Sequence, residues 1–463
     1  MSLPSGAATL AGPAPQVLPL PLHGIGGAKD LPIPLALAVS AATAALVVSF
    51  CVLALAWRRP RYDPPRAGRP VPAGLARVLD GPGLAWTLRV LGLVAAAYLV
   101  WPLVWGPDLV TNPVLGTFYV LVWVGLVPAS LLAGRVVRAV SPVRTLHLLI
   151  ARATGGDPAR GVLVLPARLG LWPAALGLFA FVWEELVNEQ SGFVSSVRIW
   201  LAAYLAVMLV GGALFGDTWF ARADPFEVYS SLVARLSPWS RDQGRLVWRS
   251  PLANLATTPA RPGLLAVVAV LFGSTAFDSY KDTVAWQGFV DRVGLDPVLV
   301  DSVALLVFCL AVGLSFTLAA VATGVAGTRD EPGDGVRRGR LPLLLAHSVV
   351  PIIVGYITAH YLSYFVEQGQ RTLMQLSDPL VRGDDVLGTA GWSISYWLSF
   401  HPTLLAVVKV LAVVLGHVVG VVAAHDRALA LLPRRHQVTG QLGLLVVMVA
   451  YTASGLYLLM GGF

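Results

Sequence analysis

The chain has 463 residues, of which 56% are hydrophobic and only 13% are Asp, Glu, Lys or Arg. A soluble domain carries about 25% charge, so this composition excludes a water-soluble protein and assigns the apolar surplus to lipid. The net charge of +8 is explained by arginine in cytoplasmic loops and excludes nucleic acid as a partner.

Residues 1–28 contain no Lys or Arg, so they lack the basic start of a signal peptide, and 1–32 reads as an outer segment. It holds His23, the glycines 24, 26 and 27, which permit a tight turn, and Asp30, placed to cap the first spanning helix. A spanning helix needs about 20 mainly apolar residues. Ten runs qualify: 33–57, 84–105, 114–137, 168–187, 195–215, 263–278, 298–324, 342–366, 402–424 and 442–460. Cys51 and Cys309 fall inside such runs and read as small core hydrophobes. The expected fold is an all-α polytopic transmembrane bundle of about ten helices, one integral membrane domain over 1–463.

Lys and Arg fix the orientation. With the N-terminus outside, the inner loops 58–83, 135–168, 216–262, 325–341 and 425–441 hold 25 of the 33 Lys and Arg, and the outer segments hold 5. The positive-inside rule then puts both termini outside. The segment 325–341 is a polar, Gly-rich inner linker.

Two inner loops resemble each other. Arg138-Ala139-Val140-Ser141-Pro142 is matched by Arg222-Ala223-Asp224-Pro225. Further on, Pro166-Ala167-Arg168-Leu169-Gly170-Leu171 is matched by Pro259-Ala260-Arg261-Pro262-Gly263-Leu264. Ser141 and Asp224 are N-caps, each with Pro next at N1, and Glu227 completes a capping box. The helices they start are expected to be amphipathic and to lie on the inner membrane surface. Residues 114–187 and 195–279 then read as duplicated hairpins, in which Glu185 falls opposite Asp278.

Ionisable groups inside spans are costly and are functional candidates. Here they are Glu184, Glu185, Arg198, Asp278, Asp301, His347, His360, Glu367, His401, Lys409 and His417. Tyr356, His360, Ser363 or Tyr364, and Glu367 share one helical face, and Pro351 is expected to kink that helix. Lys409 sits too deep for its stem to reach the outer edge and needs an acidic partner. Gly416 and Gly420 have the spacing of a close helix contact, with His417 expected to bond across the seam. His425, Asp426 and Arg427 read as a solvated helix end. No P-loop, HExxH, GxSxG or paired CxxC occurs.

The segments HGIGGAKDLPIP (23–34), FGSTAFDS (272–279), AHSVVPIIVGYITAHY (346–361) and GHVVGVVAAHDRAL (416–429) resemble a family of actinobacterial multi-pass membrane proteins commonly labelled fenitrothion hydrolase. The resemblance covers most of the chain and implies organophosphate hydrolysis at a bacterial plasma membrane. Such cleavage calls for a divalent metal to activate water, with ligands drawn from His23, His360, His401 and Asp278. The residues alone fit a small-solute or ion transporter, with Glu185, Asp278, Asp301, His360, His401 and Lys409 as its working groups. A third expectation is a non-catalytic subunit, with a membrane-protein partner or a second copy docking on the helix faces.

Overall fold

The computed structural model describes residues 27–62, 68–322, 336–433 and 436–461. Among them, nine helices are long and apolar enough to cross a membrane, and one bent pair makes a tenth. The chain is therefore an all-α polytopic bundle, as its composition demands. The helices relevant here are α1 (Leu35–Ala56), α2 (Pro82–Trp105), α3 (Pro113–Val124), α4 (Leu126–Ala133), α5 (Val136–Val140), α6 (Pro142–Ala153), α7 (Trp172–Leu186), α8 (Val194–Phe215), α9 (Asp217–Ala223), α10 (Pro225–Val233), α11 (Leu264–Lys281), α12 (Val284–Val293), α13 (Pro297–Ala322), α14 (Val350–Gln375), α15 (Pro402–Leu431) and α16 (Leu442–Leu459). Their lipid-facing sides carry exposed Leu, Val, Ile and Trp, such as Leu55, Ile199 and Leu318.

The bent pair is α3 with α4, which meet at 43°. Thr117–Val124 within α3 is wound as a π-helix. Each π turn displaces a residue and re-aims its side chain, a feature common near functional sites. Apolar periodicity carries no trace of it.

The span around Pro351 is one helical run, Arg338–Gln375. It is wound as a 3-10 helix over Ala346–Val349 and as α14 from Val350, which puts the proline in the first turn of the α-helical part, where the missing N–H costs little. At its other end α14 runs nine residues past the expected 366. The ninth expected span likewise continues to Leu431. His425 and Asp426 are therefore buried rather than solvated. Asp426 accepts from Trp57 Nε1 (3.0 Å), the Arg61 amide (2.6 Å) and the Tyr62 amide (3.0 Å), and His425 contacts the Trp57 carbonyl (3.0 Å) and Gln441 (3.1 Å). Cys309 is buried as expected, whereas Cys51 is exposed on the outer surface of α1.

The glycine seam is real. A Cβ on Gly416 would come within 2.6 Å of the Pro351 carbonyl, and one on Gly420 within 2.7 Å of the Ser348 carbonyl. Gly355 answers from α14, where a Cβ would meet the Ala412 carbonyl at 2.4 Å. Main chains this close leave no room for a methyl group. His417 bonds its own helix, at the Val413 carbonyl (2.9 Å), instead of bonding across the seam.

The two matched inner loops start helices as expected. Ser141 Oγ accepts the Arg144 amide at 3.2 Å, and Asp224 Oδ1 accepts the Phe226 and Glu227 amides at 3.0 and 3.2 Å. The position of the second differs from expectation. The second helix, α10, does not lie on a membrane surface: eight of its nine residues are buried. The chain leaves α8, reverses at Gly216 (φ 63°) and climbs back beside α8 as α9, with Phe220 packed against Gly212. Asp224 then lies beside Tyr204, halfway along α8, and accepts its hydroxyl at 3.0 Å. Arg144 of α6 ties the two loops together. Its guanidinium grips both oxygens of Glu227 (2.7 and 3.1 Å) and reaches Asp217 Oδ1 at 2.9 Å.

The inner end also holds strands that helical periodicity does not foresee. β1 (Arg69–Pro70), β2 (Trp239–Asp242) and β3 (Arg245–Trp248) form an antiparallel sheet in the order β1-β3-β2. Gln243 and Gly244, both at positive φ, turn the hairpin.

Candidate functional site

The site is built on the parallel pair α7 and α11. Each is preceded by a glycine at positive φ, Gly170 (48°) and Gly263 (82°). The two turns abut: the Leu171 amide donates to the Pro262 carbonyl at 2.7 Å, and a Cβ on Gly263 would sit 2.4 Å from the Trp172 nitrogen. The helices therefore start level. Fifteen residues on, they present Glu185 and Asp278 at the same depth, toward the end that the arginine bias assigns to the outside. Lys281 Nζ, at the end of α11, caps the Leu186 carbonyl of α7 at 2.6 Å and fixes the register from above.

Asp278 is 3% exposed and is the hub. Its Oδ2 meets His360 Nε2 at 2.9 Å and accepts the Tyr361 hydroxyl at 2.6 Å. The other imidazole nitrogen, His360 Nδ1, lies 3.2 Å from Ser279 Oγ. Ser279 Oγ in turn lies 2.9 Å from the Tyr356 hydroxyl and 3.1 Å from the Thr275 carbonyl. The chain Tyr356–Ser279–His360–Asp278–Tyr361 thus joins two helices through polar atoms in a low-dielectric interior, where each bond is strong and each loss costly.

The arrangement accommodates two proton states. With neutral His360, Nε2–H donates to Asp278, and Nδ1 accepts the Ser279 hydroxyl proton. With the imidazolium, Nδ1–H donates to Ser279, whose hydroxyl turns to the Thr275 carbonyl. Neither state strands a donor, because serine is both donor and acceptor.

Glu185 is half-buried and belongs to the same region: its charge acts on Tyr361, Tyr364, Tyr119 and Tyr229. Its neighbour Glu184 is a structural group, accepting Ser196 Oγ at 2.6 Å and Asn188 Nδ2 at 2.9 Å. Among the described residues, two buried hydroxyls have no hydrogen-bond partner, Thr117 Oγ1 in the π-helical turn and Tyr229 OH on α10. Tyr229 packs on Trp123, which packs on Phe181, one turn inward of Glu185.

The remaining expected residues divide. Lys409 is 3% exposed on α15, and the glycine seam places it within about a turn of His360 in depth. Asp30 is an acidic charge that acts on it. Asp301 is committed to Trp286 Nε1 (2.9 Å) on α12. His401 is exposed before α15, its Nδ1 at 2.7 Å from the Trp397 carbonyl and its ring against that of Trp397. Neither Asp301 nor His401 joins the centre. Of the expected metal ligands His23, His360, His401 and Asp278, only His360 and Asp278 meet. His23 lies outside the described residues, and among those described no three His, Cys, Asp or Glu side chains gather as a metal site.

Tyr361 and Ser279 do not stand out in the sequence. Tyr361 lies off the Tyr356–His360–Tyr364 stripe, and Ser279 reads as an ordinary helix serine. The usable signal is adjacency, since each neighbours a titratable residue. Comparison of the chain with protein-family models, curated proteins and solved structures finds no match.

Proposed function

We propose that this membrane protein is a carrier for a small solute or ion, driven by a proton that binds at the Asp278–His360 pair. The observation that carries this reading is the Asp278 carboxylate, buried among spanning helices and held by His360 and Tyr361. Groups that titrate inside spans are expensive to keep, and a relay with two satisfied proton states can load and unload a proton. The proton is held as the His360 imidazolium, whose Nε2–H stays on the Asp278 carboxylate while Nδ1–H donates to Ser279.

The test is pH-driven proton uptake by proteoliposomes, screened with small ions and solutes. Wild-type protein is expected to give uptake that Asp278→Asn reduces at least tenfold, with Asp301→Asn as the unaffected control. Equal uptake by wild type and Asp278→Asn sinks the reading.

One observation favours a second reading, the hydrolase that the family resemblance implies. Ser279 Oγ, His360 and Asp278 stand in the order nucleophile, base and orienting carboxylate. Under this reading Ser279→Ala abolishes cleavage of an organophosphate triester. Under the carrier reading no such cleavage occurs.

A further inference from the structure

The inner end of the bundle gathers arginines that its acids do not neutralise. Arg135 lies just after α4, Arg235 ends the turn after α10, Arg249 lies just after β3, and Arg261 precedes α11. Arg235 feels the charges of Arg135, Arg261 and Arg249, and Arg135 also feels that of Arg261. Burial, with these neighbours, brings the Arg235 guanidinium down to about 10. Among the described residues Asp242 pairs with Arg249 alone, at 3.6 Å, and Glu227, whose charge also acts on Arg135, is held by Arg144 through both oxygens. Among the described residues, Arg135, Arg235 and Arg261 have no ion pair.

A second observation points to a ligand. The Arg249 side chain is 6% exposed, and its Nε has no hydrogen-bond partner among the described residues. A buried guanidinium N–H left unpaired is costly and rare. The scaffold around it is built rather than loose. Asn254 Nδ2 ties the Ser237 and Trp239 carbonyls (3.0 and 3.1 Å), Trp239 Nε1 ties the Leu132 carbonyl (2.8 Å), and Arg235 Nη1 is anchored on Thr257 Oγ1.

We propose that Arg135, Arg235, Arg249 and Arg261 form a binding site for a phosphate-bearing anion at the inner face. Guanidinium groups match phosphate oxygens in pairs. The anion is either a free phosphate or the headgroup of an anionic phospholipid, and the Trp239–Trp248 pair beside the site (ring centroids 5.9 Å apart) is of the kind found at headgroup level.

The test uses the full chain in nanodiscs of phosphatidylcholine. One arm adds inorganic phosphate, and the other blends phosphatidic acid into the disc. Each is read by the shift in unfolding temperature and by native mass spectrometry for retained lipid. A shift with phosphate alone assigns a soluble anion, and a shift only with phosphatidic acid assigns a headgroup. In either case Arg135→Gln with Arg261→Gln is expected to weaken binding about tenfold, while Arg160→Gln, an exposed arginine elsewhere on the inner side, leaves it unchanged. Should the double variant fail to fold, Arg135→Gln alone removes an exposed side chain that makes no ion pair among the described residues, and it is expected to weaken binding severalfold. No shift in either arm, or a shift that survives Arg135→Gln unchanged, overturns the proposal.

Discussion

Arg144→Ala is expected to cost about 3–5 kcal/mol, the range for stripping one partner from a buried ion pair. Glu227 is 2% exposed and Arg144 11% exposed. With Arg144 gone, the cations left near Glu227 are Arg138, at 3.9 Å and half exposed, and Arg135, which forms no ion pair with it. Asp217 loses its partner too, but it is 45% exposed and can turn to water. The cost therefore falls on Glu227, whose carboxylate is left buried and poorly compensated. The measurement is the unfolding midpoint in detergent, with limited proteolysis of the 217–233 region as a local readout. The double variant Arg144→Leu with Glu227→Leu should recover most of the loss, because it removes the stranded charge along with its partner. A single variant as stable as wild type would mean that water already reaches Glu227.

The same pair shows where the sequence is legible and where it is not. Cap signals at Ser141 and Asp224 are local chemistry, and both helices start where those residues stand. The place of α10 in the fold is not local. Phe226, Tyr229 and Val233 give an apolar stripe that fits a membrane surface, yet Glu227 on the other face is buried as well, because an arginine 83 residues away neutralises it. A charged residue reads as solvent-facing until its partner is known. The error at His425 and Asp426 has the same origin, since their partners Trp57, Arg61 and Tyr62 lie at the far end of the chain.

The candidate site is half legible. Asp278, His360 and Glu185 stand out because lipid makes such residues rare, and alignment of the two Pro-Ala-Arg turns alone sets Glu185 level with Asp278. Helical spacing cannot separate them from Asp301 and His401, which lie at the same end of the bundle and are committed to Trp286 and Trp397. What decides is which helices pack together, and sequence periodicity records only that a face is buried, not against what.

That packing makes the glycine seam the second large lever. Gly416→Val would drive a branched side chain into the Pro351 carbonyl, 2.6 Å from where even a Cβ would sit, with the Gly355 Cα at 3.2 Å. Backbone on both sides cannot yield as a side chain would, so α14 and α15 must separate. Overpacking of this kind costs about 1–3 kcal/mol when neighbours can adjust, and the upper end or beyond is expected here. The consequence for function is larger than that for stability. α14 carries His360 and Tyr361, and its seam with α15 sets where they stand relative to Asp278 on α11. A shift of about 1 Å breaks a 2.6 Å hydrogen bond. On the carrier reading, Gly416→Val is therefore expected to abolish pH-driven uptake even in lipid conditions where the protein remains folded, whereas Gly443→Val, whose Cβ would have 3.4 Å to its nearest neighbour, should leave uptake within about twofold. If both variants transport equally, the position of α14 does not control the Asp278–His360 pair.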